Sequence, residues 1–285
     1  MKKIQILVAQ HKETEVFKNE VYTPIHVGKS LSKLDLGILD DATGDNISRL
    51  NPYFCELTAQ YWAWKNIHDV EYIGLCHYRR YFEKEFTAEN IDEEMKDCDV
   101  ILAKRLYMPN SPLQGISIYH TPEDAYVFYD YMMARYPEQK LQFESFFLKK
   151  NWGNAYNMFV CKKDVFDDFC KWQFSILMDL FKIVPMSPYT REKRLMGYYA
   201  ENMFPYYVML NHLKVKEIPI VSMIGEKKKS GAKKIVVDFV KRSLNTIWFK
   251  LHMNNFKIPQ TDPIRVGLKA DKIEDIIKNT LYGKE

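Results

Sequence analysis

Four short apolar runs, each ending abruptly in polar residues, restrict what this chain can fold into more than any other feature. Ile4-Gln5-Ile6-Leu7-Val8-Ala9 gives way to Gln10-His11-Lys12, and Tyr72-Ile73-Gly74-Leu75-Cys76-His77 to Tyr78-Arg79-Arg80; Val100–Ala103 and Met158–Cys161 are the other two. Bounded runs of this length read as strands buried on both faces. Helices are predicted between them. Asn51-Pro52 supplies an N-cap and a first-turn proline for a helix through about Asn66, a helix-rich stretch runs from about Pro122 to Lys149, and Asp164–Phe181 is a further helix. Strands alternating with helices predict an α/β fold, a Rossmann-like and mainly parallel sheet flanked by helices. Ligands in such sheets sit outside the carboxyl ends of the strands. His11, Lys12, His77, Arg79 and Arg80 all fall there.

At 285 residues the chain suits one main domain plus an appendage. We place the domain at residues 1–225 and a helical appendage at 226–285. The five cysteines form no CxxC pair, and three lie in apolar runs, which suits a reduced, cytoplasmic setting. The apolar run behind Met1-Lys2-Lys3 is too short for a signal core or a membrane span. A net charge of +4 does not point to nucleic acid, and most aromatics lie away from the basic residues, so no nucleic-acid partner is expected.

The appendage is different. Between Glu226 and Lys250 eight basic residues face two acids, and Val237, Val240, Leu244, Ile247 and Leu251 recur at helical spacing with Trp248 beside them. This is the pattern of a basic amphipathic helix that lies on an anionic membrane surface, here over residues 226–251. The plainer reading is a terminal helix packed on the domain with solvated lysines.

Arginine suits phosphate because its planar fork stays charged and offers several donors. At a strand end, Arg79 and Arg80 with His77 can hold a diphosphate and neutralise it as it leaves. In an extended chain the two arginines would point to opposite faces, so both serve one site only if the backbone turns. Enzymes of nucleotide-sugars commonly hold Mg or Mn with Asp-x-Asp at such a place. Here it is occupied by His77-Tyr78-Arg79, and the Asp97-Cys98-Asp99 sequence precedes its strand, at the wrong end of the sheet. No metal site is expected, and no cofactor. There is no phosphate-binding glycine loop, dinucleotide fingerprint or nucleophile elbow. Glu201, the one acid between Met196 and Leu213, is the candidate catalytic base, with Arg194 beside it as a further diphosphate-binding candidate.

The HYRRYF run at 77–82 resembles a bacterial family catalogued as a domain of unknown function, whose members occur among capsular and exopolysaccharide synthesis proteins. His11-Lys12, Asn46-Ile47-Ser48, Cys55-Glu56-Leu57-Thr58-Ala59 and the late Gly197-Tyr198-Tyr199-Ala200-Glu201-Asn202 carry the likeness in order, over roughly residues 4–225. The resemblance implies a glycosyltransferase of GT-A type, some members being similar to galactofuranosyltransferases. It implies a UDP-sugar donor, inversion at the anomeric carbon, and a saccharide or lipid-linked oligosaccharide acceptor at the inner face of the plasma membrane. On that reading His11 and Lys12 are nucleotide-binding candidates, and Asn51, Glu56 and Thr58 sugar-binding ones. The alternative is a non-catalytic scaffold that docks a polysaccharide assembly complex to the membrane. It would gain no thermal stability from UDP.

Overall fold

The apolar runs form the middle of a sheet. In the structure, a computed structural model that describes residues 1–223, 232–252 and 263–283, the strands in chain order are β1 (Lys2–Gln10), β2 (Tyr22–His26), β3 (Leu39–Asp40), β4 (Val70–His77), β5 (Arg80–Phe82), β6 (Val100–Ala103), β7 (Leu106–Tyr107), β8 (Trp152–Gly153), β9 (Phe159–Lys162), β10 (Val215–Ile218) and β11 (Ile220–Ser222). The main sheet runs β10-β6-β9-β4-β1-β2-β3, and β5 hangs from β4 and pairs with β11. The pairs β1–β2, β1–β4, β2–β3 and β6–β10 are parallel, and β9 lies antiparallel between β4 and β6. Two reversals restore direction. The carboxyl ends of β1, β2, β4, β6 and β10 therefore share one edge.

The α/β architecture with a mostly parallel sheet is as expected; the reversed central strand is not legible from periodicity. The centre of the sheet is buried on both faces, with Ile4 to Ala9 and Tyr72 to Cys76 almost entirely apolar. Gly74 allows β4 to approach β9: a Cβ there would lie 2.8 Å from the Phe159 carbonyl oxygen.

The chain divides into two compact units. The first holds Met1–Arg105, Asn154–Phe174 and Met203–Lys227, and with them the main sheet. The second holds Leu106–Gly153, Ser175–Asn202 and Lys228–Glu285, so it draws helices from before residue 226 as well as after it. Among its described residues the β7–β8 pair is its one strand pairing, and two of its helices, Pro112–Tyr119 and Pro122–Arg135, open with full capping boxes at Ser111 and Thr121. Tyr199 anchors its core, donating to the Asp124 carbonyl at 2.8 Å and stacking on Phe128. Arg265 ties the helix Pro263–Ala270 to Asp130 at 2.7 Å.

The helix expected from Asn51 through Asn66 is broken. Asn51–Phe54 and Leu57–Asn66 are separate helices, because Cys55 takes φ 53°. The side chains of Asn51 and Thr58 donate to the Cys55 carbonyl at 2.8 and 3.1 Å and hold the kink. The expected basic helix is present as Ala232–His252; residues 226–231 of that segment lie outside the described residues.

Candidate functional site

The register of β1 against β4 sets Ala9 beside His77, which brings the residues after both strands together. Tyr78 is their hub. Its N–H donates to the Ala9 carbonyl at 3.1 Å, and its ring is buried. Around that ring stand His11 (5.4 Å between centroids), His77 (4.4 Å), the Lys12 ammonium (5.7 Å) and the Arg79 guanidinium (5.3 Å). The negative face of an aromatic ring attracts cations, so one buried phenol gathers positive groups from two loops. His11, Lys12 and Arg79 are exposed and can meet an anion from solvent.

The two arginines part company here. His77 pairs with Arg80 across a two-residue turn, and the Arg79 N–H donates to His77 Nδ1 at 3.2 Å. In the neutral imidazole that acceptance leaves the proton on Nε2. Arg80 pairs with Ser222 in the β5–β11 ladder, and its guanidinium lies 4.0 Å from the Tyr156 ring centre. Arg79 thus belongs to the Tyr78 cluster, whereas Arg80 stacks on the turn that leads into β9. Tyr156 and Asn157 in that turn both have positive φ.

Asn51, Thr58 and Glu56 are held by neighbours in the first unit. Asn51 and Thr58 serve the Cys55 kink, and Asn51 also packs on Gly28, where a Cβ would sit 2.7 Å from its Oδ1. Glu56 accepts from Asn157 Nδ2 at 2.9 Å. Gly28 itself is fixed by buried Asp41, which accepts the Gly28 and Lys29 N–H groups at 2.8 and 3.1 Å. The loops after β1, β2 and β4 are therefore built against one another or against the sheet edge, a preorganised rim.

Sequence reasoning missed a buried pair at this rim. Gln10 and His26 are register partners at the ends of β1 and β2. Gln10 Nε2 donates to the Lys12 and Thr14 carbonyls, but Gln10 Oε1 and His26 Nε2 make no hydrogen bond. Burial, then Lys29, holds the His26 imidazole below its usual range. Orphaned buried polar atoms each cost about 1–3 kcal/mol, and they tend to persist at functional edges. Only their place at the ends of adjacent strands could have signalled them.

Among the described residues no three His, Cys, Asp or Glu side chains gather in a set fit to hold a metal ion. Asp99 lies at the amino end of β6, the edge opposite His77. It pairs with Lys162 at 2.9 Å and accepts the Lys214 N–H at 3.0 Å. Those contacts, Lys162 first, hold its carboxyl below the usual range.

Glu201 and Arg194 belong to the second unit, and the Tyr78 cluster to the first. Arg194 is exposed in the short turn Glu192–Arg194, and half-buried Glu201 closes the helix Leu195–Glu201. Nearby in sequence, Tyr198 touches a residue that the sequence did not flag. His120, only 9% exposed, lies edge-on to Tyr198 at 4.4 Å, and neither ring nitrogen makes a hydrogen bond of ordinary geometry. Burial first, and then Arg191, push its pKa down to about 4; Arg194 adds a little and Glu192 opposes.

The family described as "Domain of unknown function (DUF4422)" matches residues 5–212. Among solved structures, the chain is similar to the apo structure of WbbM, described as a bifunctional glycosyltransferase. The two are 30% identical with a TM-score of 0.69, over 79% of this chain and 46% of that one. The chain thus spans about half the length of the protein it resembles, whose α/β fold it shares. No curated protein matches the sequence.

Proposed function

The chain belongs to the DUF4422 family, and we propose that it transfers a sugar from a UDP-sugar, galactofuranose being the candidate, to a saccharide or lipid-linked oligosaccharide acceptor in surface-polysaccharide synthesis. The observation that carries this reading is the gathering of His11, Lys12, His77 and Arg79 around Tyr78 at the carboxyl edge of a mainly parallel sheet. That edge is where such sheets take nucleotides. Likeness to a glycosyltransferase structure supports the same class.

In the proposed reaction the Glu201 carboxylate takes the proton of an acceptor hydroxyl. The freed oxygen attacks the anomeric carbon from the face opposite the diphosphate, which inverts its configuration. The bond from that carbon to the diphosphate oxygen breaks, and its electron pair stays with UDP. Arg79, His77 and Lys12 meet the growing charge, an electrostatic role that needs donors already in place. Arg80 and Arg194 are further diphosphate candidates, and Asn51, Glu56 and Thr58 shape the rim on the sugar side. Cationic side chains are proposed to take the part of a divalent ion, so that the reaction runs without a metal. The protein is proposed to work at the inner face of the plasma membrane.

A panel of UDP-sugars offered to the purified full chain tests this. One donor should be turned over, and Glu201→Gln should lower turnover by at least about 100-fold with UDP affinity unchanged. Normal turnover by the variant would remove Glu201 as the base. No turnover of any donor, together with no UDP-dependent rise in melting temperature, would remove the enzyme class itself.

A further inference from the structure

The helix Ala232–His252 packs on its own unit through a largely polar face. Asn245 Nδ2 donates to the Tyr107 carbonyl at 2.7 Å, the Arg242 guanidinium lies 4.3 Å from the Tyr107 ring centre, and Asn151 Nδ2 reaches Thr246 Oγ1 at 3.4 Å. Phe249 is the single large apolar side chain buried from this helix among its described residues. The apolar stripe is on the outside. At about 100° per residue, Val236, Val237, Val240, Leu244, Ile247 and Leu251 fall within an arc of about 100°, and they are between 42% and 72% exposed. A helix that served only to cover its unit would turn this stripe inward.

The borders of the stripe say what covers it. By the same helical rotation, exposed Lys241 falls just outside one edge, with exposed Trp248 beside it, and exposed Lys250 falls outside the other, with exposed Phe239 next to it. Asp238, the helix's one acid, falls on the far side. The apolar surface continues past the helix, because Trp248 and Ile118 line one cavity of about 290 Å³, and Ile118 and Tyr119 are exposed on the helix Pro112–Tyr119.

We propose that this face lies flat on an anionic lipid bilayer, with the apolar arc at the acyl boundary and Lys241, Lys250 and Trp248 at the headgroups. Lysine stems lie along apolar surface while their ammonium groups reach phosphate, and tryptophan favours that level. A second copy fits less well, since it would set lysine borders against lysine borders. No described helix is long and apolar enough to cross a membrane, which leaves an in-plane contact for this one. The inference builds on the membrane location proposed above, and it does not use the transfer chemistry.

Flotation of the full chain with extruded vesicles tests it. One set is phosphatidylcholine alone and the other carries about 30% phosphatidylglycerol, an anionic surface of cellular strength. The chain should float with the anionic vesicles and be released at about 1 M salt, where screening is short-ranged. Leu244→Asp with Ile247→Asp should cut bound protein at least about tenfold, with circular dichroism and melting temperature unchanged, because both side chains are exposed. Lys241→Gln with Lys250→Gln should cut it several-fold on anionic vesicles alone. The proposal is overturned if the wild type stays in the lower fractions or the Asp variant floats as well. It is also overturned if light scattering shows a dimer that the Asp variant converts to monomer. Because binding is read without a sugar donor, its failure and a failure of the transfer reading are separate results.

Discussion

Acidification should unload a defined share of stability through His120. Its folded pKa of about 4 lies below the ordinary imidazole value of 6.5. Between those values the unfolded chain takes up a proton that the folded chain refuses, so stability falls as the pH drops through this window. The shift is worth about 3 kcal/mol in full, at about 1.4 kcal/mol per unit, and most of it is lost by about pH 4.5. His120→Phe keeps an aromatic ring against Tyr198 and removes the titration. Urea unfolding of both proteins at about pH 7.5 and about pH 4.5 measures the effect. The variant should gain about 2 kcal/mol relative to the wild type over that range. The difference cancels groups common to both, such as Asp124 and Asp130, whose carboxyls burial holds above their usual range. A gap that does not change with pH, or a His120 ring that titrates by NMR near its ordinary value, would refute the reasoning.

Three other outcomes follow from the first unit. Gly28→Ala must place a Cβ against Asn51 at φ 72° and should lower stability by about 1–3 kcal/mol, seen as a drop of several degrees in melting temperature; an unchanged melting temperature contradicts the fit of that loop. Tyr78→Leu preserves an apolar plug but removes the ring that gathers the cations. It should weaken UDP binding about five-fold by calorimetry, and unaltered affinity would make the ring a mere core residue. Transfer should survive excess EDTA within about two-fold, and a loss that Mg or Mn restores would show that cations of the protein do not replace the ion.

The strands that could be read from the chain were those buried on both faces. β2 was hidden because Pro24 interrupts its short run, although the strand still pairs with β1, Val8 standing against Pro24 and Ala9 against Ile25. The direction of β9 is set by pairing with β4 and β6, which no local pattern encodes. The break at Cys55 escaped for a similar reason: every residue around it tolerates a helix, and the kink is held by Asn51 and Thr58 reaching back to one carbonyl. The strand-end rule did bring His11 and Lys12 to the same edge as His77 and Arg79. What it could not supply was the turn that sends Arg80 to Tyr156, or the part played by Tyr78, whose burial is a tertiary fact. The periodicity of the C-terminal helix showed an apolar stripe without showing which way it faces. His120 carried no signal, since its pKa is lowered by burial, with Tyr198 against its ring, and then by the charge of Arg191, both of which are tertiary facts.

Calorimetric titration of UDP into the wild type, Arg79→Gln and Arg80→Gln addresses the positive rim most directly. A charge-assisted hydrogen bond is worth about 1.5–3 kcal/mol, so loss of Arg79 should weaken UDP by about 10- to 150-fold, and loss of Arg80, engaged with Tyr156, should weaken it less. Wild-type affinity in the Arg79 variant would contradict the account, because the pyrophosphate would then be held somewhere other than beside Tyr78.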